Sequence, residues 1–307
     1  MKRLHVHHST VYRYKRPVRF GEHRMMFRPR DSHDLRLVST ALRIEPEAEV
    51  YWLHDVFSNS IAVAAPTQPS ERLTIESRIE IEHYGRDDLN FPIAPFARSY
   101  PFSYPAEETP DLHSLIERHY ADPEQLVDRW AKGFVQSLGG APDTGYLLGE
   151  ITRAIPREFG YERRYAVGTR TPTEMIEHGS GTCRDMALFM MEAVRSLGFA
   201  ARFVTGYLHD PGLDQESAVP GEDAPLQAEM QGSGDTHAWV QVYLPGAGWV
   251  EFDPTNGLVG GGNLIRIGVT RDPRQAVPLQ GSFAGKAEDF LDMTVDVKVT
   301  RQDVDGA

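Results

Sequence analysis

Gly179 to Phe199 reads GSGTCRDMALFMMEAVRSLGF, a glycine-rich turn that runs into a helical pattern at Cys183, the single cysteine among 307 residues. Apolar residues at 186, 189, 190, 193, 194 and 197 form the stripe of a helix that faces a core, and Gly198 suits its C-terminal cap. At the other end Thr182 and Asp185 make a Ser/Thr-x-x-acid capping pattern, which makes Cys183 the first full residue of the helix. Unpaired N–H groups and the positive end of the helix dipole favour an anion there, so a thiolate is favoured, with Asp185 opposing it in part. Gly179 and Gly181 are expected to let the backbone approach whatever lies over the sulfur, and the Cys183 N–H to donate to an oxyanion. The competing reading is a packed cysteine serving as a small hydrophobe.

A second motif separates these readings. A thiol nucleophile needs a base, and the base needs a group to fix its ring. The chain has 12 histidines, but His237 stands out because THAWVQVYLPGAGWVEFDPTNG turns at PGAG and returns to Asp253 at the mouth of the same hairpin. His237, Trp239, Gln241 and Tyr243 share one strand face. A plain four-residue loop over Pro245–Gly248 sets Asp253 against Val240, on the wrong face. A shift of one residue sets it against Trp239, diagonal to His237 and within reach of the ring. The spacing therefore predicts an odd loop or a bulge, with Gly246 or Gly248 at positive φ. His178 and His209 are rival bases with no obvious carboxylate in hairpin reach.

Outward from these motifs the chain divides into three parts. Residues 1–105 read as an N-terminal β-rich domain ending in a proline and aromatic linker, with strand patterns at Val11–Tyr14, Leu35–Ile44, Asn59–Ala65 and Arg72–Tyr84. In the last of these, Leu73, Ile75, Ser77, Ile79 and Ile81 alternate with polar residues, as in an antiparallel sheet with one wet side. Residues 106–262 form a catalytic core opening with helices near Asp111–Tyr120, Pro123–Gly140 and Thr144–Glu158. Residues 263–307 add strands that complete the fold. The class is α+β.

Composition sets outer limits. The net charge of −12 argues against general nucleic-acid binding. No run of apolar residues is long enough for a membrane helix, so a cytoplasmic protein is expected, and one cysteine excludes an intramolecular disulfide. Residues 1–43 nevertheless carry 11 Lys and Arg against Glu22, Asp31 and Asp34. That excess reads first as a face complementing the acidic body of the same molecule or of a second subunit; the alternative is an anionic ligand or partner. From Asp210 to Asp235 seven acidic residues (Asp210, Asp214, Glu216, Glu222, Asp223, Glu229 and Asp235) occur without Lys or Arg, either as a lid attracting cationic substrates or as a solvated insertion. His5, His7 and His8 are a weak metal pattern beside the reading as exposed strand histidines. No EF-hand loop is present, and no cofactor is expected.

The glycine-rich turn, the Cys at a helix start, HAWV and GWVEFDPTN resemble the transglutaminase-like superfamily of papain-related thiol enzymes, and HVHHSTVYRYKRPV resembles the N-terminal β region of its bacterial members. The resemblance implies Cys183 as nucleophile, His237 as base and later acid, and Asp253 as the residue holding the imidazole. Tyr161, in FGYERRY, is the candidate second oxyanion donor, with a packed aromatic as its alternative. One departure is Arg184, where the family often has glutamine, with consequences expected for the cleft lining. The chemistry implied is attack on an amide carbonyl in a protein or peptide substrate. Hydrolysis by a cysteine peptidase or amidase is the first reading, and a protein-glutamine transglutaminase or a non-catalytic binding module the alternatives. The oligomeric state stays open.

Overall fold

The computed structural model describes residues 1–85, 92–164, 168–214, 230–232 and 234–302. Six strands come first: β1 (Lys2–Phe20), β2 (His23–Arg28), β3 (Leu35–Glu45), β4 (Ala48–His54), β5 (Ser60–Pro66) and β6 (Ser70–His83). Three helices follow, α1 (Thr109–Ile116), α2 (Leu126–Ser137) and α3 (Thr144–Glu158). Next come β7 (Gly160–Tyr161), α4 (Pro172–His178), β8 (Ser180–Gly181) and α5 (Cys183–Ser196). The second half of the core is β9 (Ala201–Leu208), α6 (Pro211–Asp214), β10 (His237–Leu244), β11 (Gly248–Asp253) and β12 (Leu258–Val259). The chain then runs through β13 (Leu264–Thr270), β14 (Leu279–Gln280), β15 (Phe283–Ala284) and β16 (Phe290–Gln302). The result is the α+β architecture expected.

The alternation of β6 is realised residue for residue: Leu73, Ile75, Ser77, Ile79 and Ile81 are all buried. β6 lies between β1 and β3, with β16 and β15 pairing β1, and this sheet faces a second one ordered β14-β2-β5-β4. Leu73 and Ile75 from the first sheet and Met25, Phe27, Ala62 and Ala64 from the second close the sandwich. Further along, Leu4, Val6, Ile79 and Ile81 meet Tyr207 of β9 and Ile265 and Ile267 of β13, which joins the β sandwich to the core by continuous apolar packing.

Much of the basic N-terminal charge is neutralised within the chain. Arg3 pairs Glu80, Arg36 pairs Glu82, Arg43 pairs Glu45, Arg13 pairs Asp292 and Arg16 pairs Asp289.

The core sheet has the order β12-β11-β10-β9-β13. Ala238, Val240, Val242 and Leu244 of β10 and Val250 and Phe252 of β11 pack with α5 in the largest apolar cluster. The far side of α5 is covered by α2, α3 and α4. The stripe residues Met186, Phe189, Met190, Ala193, Val194 and Leu197 are buried as expected, and burial extends past the stripe to Ala187, Leu188 and Met191. A helix enclosed all round must pair its charges internally, and Arg195 donates to Glu192 at 2.9 Å while Glu192 also accepts the His119 amide.

Candidate active site

Thr182 is the N-cap of α5. Its hydroxyl accepts the Asp185 amide at 3.2 Å and Asp185 Oδ2 accepts the Thr182 amide at 2.9 Å, which closes the capping box. The buried Asp185 charge is compensated further by Arg164 at 2.8 Å and the Arg170 amide at 2.7 Å. Cys183 is therefore the first helical residue, free and 7% exposed. The two glycines before it have a different role from the one expected. Gly179, at φ 69°, is the left-handed C-cap of α4, and a Cβ on Gly181 would meet Met175 Sδ at 2.6 Å and Asp185 Cβ at 2.9 Å, so Gly181 answers packing beneath the turn.

The hairpin has the shifted register that the spacing requires. Val240 pairs Phe252, Val242 pairs Val250 and Leu244 pairs Gly248, which leaves the three-residue loop 245–247 with Gly246 at φ 87°, while Gly248, at φ 75°, opens β11. Asp253 consequently lies on the His237 face. His237 Nε2 donates to Asp253 Oδ2 at 2.9 Å, both side chains being fully buried. Asp253 also accepts from Asn256 Nδ2 at 2.8 Å and from the Thr255 amide at 2.9 Å. Burial alone would raise this carboxyl, but His237, Asn256 and Thr255 hold it below the ordinary value.

With Nε2 occupied, the nitrogen left to His237 is Nδ1, which is buried and makes no full hydrogen bond. Burial works to lower the ring's pKa. Asp253 and, after it, the Cys183 sulfur overcome this and raise it to about 10. The imidazole is thus paired with Asp253 and lies within electrostatic reach of the Cys183 sulfur.

Tyr161 belongs to the same neighbourhood. β7 and β8 pair in parallel, with Tyr161 opposite Gly181, two residues before the cysteine. Burial and then the charge at Cys183 push the phenol up to about 12, so the half-buried hydroxyl stays a donor across the ordinary pH range.

The remaining candidates lie elsewhere. Arg184 donates to the carbonyls of Pro273 and Ala276 and packs over the Phe203 ring, so its charge secures the 273–276 turn rather than lining the cleft. His178 is exposed at the end of α4. His209 does have a carboxylate, Asp214, at 2.8 Å, brought round by the single turn of α6. His5 meets Gln302, while His8 bonds Tyr207 and Thr10 and is lowered to about 4 by burial and by His7. Among the described residues no three His, Cys, Asp or Glu side chains are grouped to hold a metal. Of the acidic segment, Glu216, Glu222, Asp223 and Glu229 fall outside the described residues.

Two contributors had no sequence signal of their own. Asn256, the last residue of DPTN, donates to Asp253 and also to the Gln231 carbonyl at 3.2 Å, while its Oδ1 accepts the Gln231 amide at 2.9 Å. Gly232, next to that clasp, lies so close to the imidazole that a Cβ on it would sit 2.5 Å from His237 Nδ1.

A buried helix that begins at a lone cysteine, packed on an antiparallel sheet carrying a His–Asp pair, defines the papain-like, transglutaminase-like class of fold. The chain belongs to the transglutaminase-like superfamily: residues 132–254 match that family and residues 4–82 match the bacterial transglutaminase-like N-terminal region. An uncharacterized protein of Mycobacterium leprae is 33% identical over 303 residues, covering 97% of this chain and 99% of the relative. One from Mycobacterium tuberculosis is 27% identical over 302 residues, covering 96% and 92%. A solved structure from Cytophaga hutchinsonii, provisionally described as a cysteine protease, superposes with a TM-score of 0.67 at 17% identity, over 100% of this chain and 92% of the other. At family level the chain is a cysteine-based enzyme. Among the described residues no helix is long and apolar enough to cross a membrane.

Proposed function

We propose that the protein is a thiol hydrolase, a cysteine peptidase or amidase, in which Cys183 attacks the carbonyl carbon of an amide in a protein or peptide substrate. The observation that carries the reading is the buried His237–Asp253 pair coupled to a sulfur at a helix N-terminus. The thiolate forms the carbon–sulfur bond, and the carbonyl oxygen takes the negative charge. The Cys183 amide, which donates to nothing among the described residues, and the Tyr161 hydroxyl are the donors proposed for that oxyanion. On collapse the carbon–nitrogen bond breaks, and His237 Nδ1–H protonates the departing amine, which leaves a thioester. His237 then removes a proton from water, whose oxygen attacks the thioester, and the acid leaves with Cys183 restored. Asp253 keeps Nε2 protonated throughout and so directs Nδ1 to the sulfur. A reducing cytoplasm, which keeps Cys183 a thiol, belongs to the same proposal.

Hydrolysis is preferred to amine transfer because it asks for no second binding site. The test is the pH dependence of iodoacetamide alkylation at Cys183 in the wild type and in His237→Ala, followed by peptide profiling with and without a primary amine. Fast alkylation at pH 6 that falls by roughly tenfold or more in the variant supports the ion pair. Equal, slow alkylation in both proteins overturns it in favour of a binding module. Amine incorporation outpacing hydrolysis replaces the hydrolase with a transglutaminase.

A further inference from the structure

A cavity of about 410 Å³ lies between the β sandwich and the core sheet, lined from one side by Arg30, His33 and Phe57 and from the other by Arg202, Trp249 and Arg266. It is on the Trp249 end of β11, four residues and therefore roughly 13 Å along the strand from Asp253. Its volume suits a small molecule, and junctions between structural units are common binding places.

The cations in this cavity are unequally satisfied. Arg266 donates to Glu251 at 2.6 Å and to Asp34 at 3.2 Å. Arg202 makes no ion pair with a carboxylate among the described residues. Its Nε donates to Gln241 Oε1 at 2.6 Å, its guanidinium lies 4.0 Å from the centroid of the Trp249 ring, and its two terminal nitrogens donate to nothing among the described residues. Burial lowers its pKa to about 10, with Glu251 opposing the fall and Arg266 and Arg30 adding smaller contributions to it. Arg30 likewise makes no ion pair among the described residues, although five arginines of the same basic stretch do. The nearby acids are already engaged: Asp31 accepts the Leu37 amide, Asp34 accepts Ser32 and Arg266, and Glu251 accepts Trp239, Gln241 and Arg266.

We propose that this cavity is a binding site for a small anion carrying a carboxylate or phosphate group, held by Arg202 and Arg30. The stacking on Trp249 and the bond to Gln241 fix the Arg202 fork before the ligand arrives, so little side-chain freedom remains to be lost. The two free terminal nitrogens match the two oxygens of a carboxylate or of one phosphate edge. The site is distinct from the Cys183 centre, and its occupancy does not depend on the hydrolase reading.

The test is calorimetric titration of the full chain with inorganic phosphate and, separately, with citrate. Saturable binding of at least one, weakening as sodium chloride is raised, is expected; whichever binds more tightly identifies the phosphate or the carboxylate as the preferred group. Arg202→Gln and Arg30→Gln are each expected to weaken it by about tenfold or more, while Arg19→Gln, from the same basic stretch but outside the cavity, leaves it unchanged. Absence of saturable binding with both probes overturns the proposal, and so does an equal loss in Arg19→Gln, which would mark diffuse attraction to the basic stretch. If Arg202→Gln does not fold, Arg30→Gln decides, and undiminished affinity there overturns the site.

Discussion

The imidazole of His237 and the indole of Trp239 stack on one face of β10, their centroids 6.0 Å apart and their planes 28° apart, and each donates an N–H to a carboxylate on β11. His237 meets Asp253, and Trp239 meets Glu251. Trp239→Phe keeps a ring in the stack but leaves Glu251 with Gln241 and Arg266 as its remaining side-chain donors. Urea unfolding should register a loss of about 1–3 kcal/mol, while alkylation of Cys183 at pH 6 stays near the wild-type rate. A large kinetic loss at full stability would mean that the indole orients the base.

The His237–Asp253 pair gives stability a defined pH window. A folded-state pKa raised to about 10 contributes stability that is complete below the ordinary histidine value of 6.5 and is lost as pH rises through 10. The lowered Asp253 contributes above its ordinary value of 3.8 and loses this as pH falls through its folded value. The excess stability of wild type over His237→Gln should therefore be greatest from about pH 4 to 6.5 and shrink steadily towards pH 10. Urea midpoints across that range provide the measurement, and a difference that stays level from pH 6.5 to 10 contradicts the assignment.

Gly232→Ala places a methyl carbon against His237 Nδ1 at a backbone φ of 91°. Either the ring or the 230–232 segment must give way. The expected result is a drop of tenfold or more in Cys183 alkylation at pH 6, of the order produced by moving a positioned catalytic group by about 1 Å, with the circular dichroism spectrum unchanged. Wild-type reactivity would mean that the segment yields and the ring does not.

Asn256→Ala removes one of the donors to Asp253 and both side-chain bonds to Gln231. Losing a donor to a buried carboxylate costs about 1–3 kcal/mol. If that cost falls on the orientation of Asp253, alkylation at pH 6 slows by roughly tenfold, and proteolysis near Gln231 accelerates. Asn256→Ser, which retains a short donor, should recover part of the alkylation rate. Faster proteolysis with normal alkylation would confine Asn256 to holding the segment.

The parts of the fold that could be read in advance are those where one periodicity had one solution. β6 alternates strictly because one face is sealed against the second sheet. The register of β10 and β11 could be worked out because a one-residue slip would turn Asp253 away from His237. By contrast, β4 gave no signal: Val50, Tyr51 and Trp52 are all exposed, so burial did not impose a period of two on its sequence. α4, at seven residues, is too short to show a helical stripe. Within the candidate site, Asn256 carries no periodicity of its own, and its bonds to Gln231 span 25 positions that no local pattern relates. His209 acquired its carboxylate through one turn of helix, and Arg184 left the cleft for carbonyls 89 and 92 residues away.

β1 is flanked by β6 on one side and β16 on the other, with Arg3 opposite Gln302 and Tyr12 opposite Met293. During synthesis β6 arrives early, whereas β16 follows only after α5 and the His237 hairpin have been made. Until then, the outer edge of β1 presents a row of unpaired N–H and C=O groups, the template on which another chain can add a strand. Closing it is a contact of nearly the greatest sequence separation this chain permits, and such contacts form late. The cysteine-bearing core can therefore be assembled on the ribosome while the sandwich beside it is still open, and the nascent protein is most vulnerable to strand addition from its neighbours in that interval.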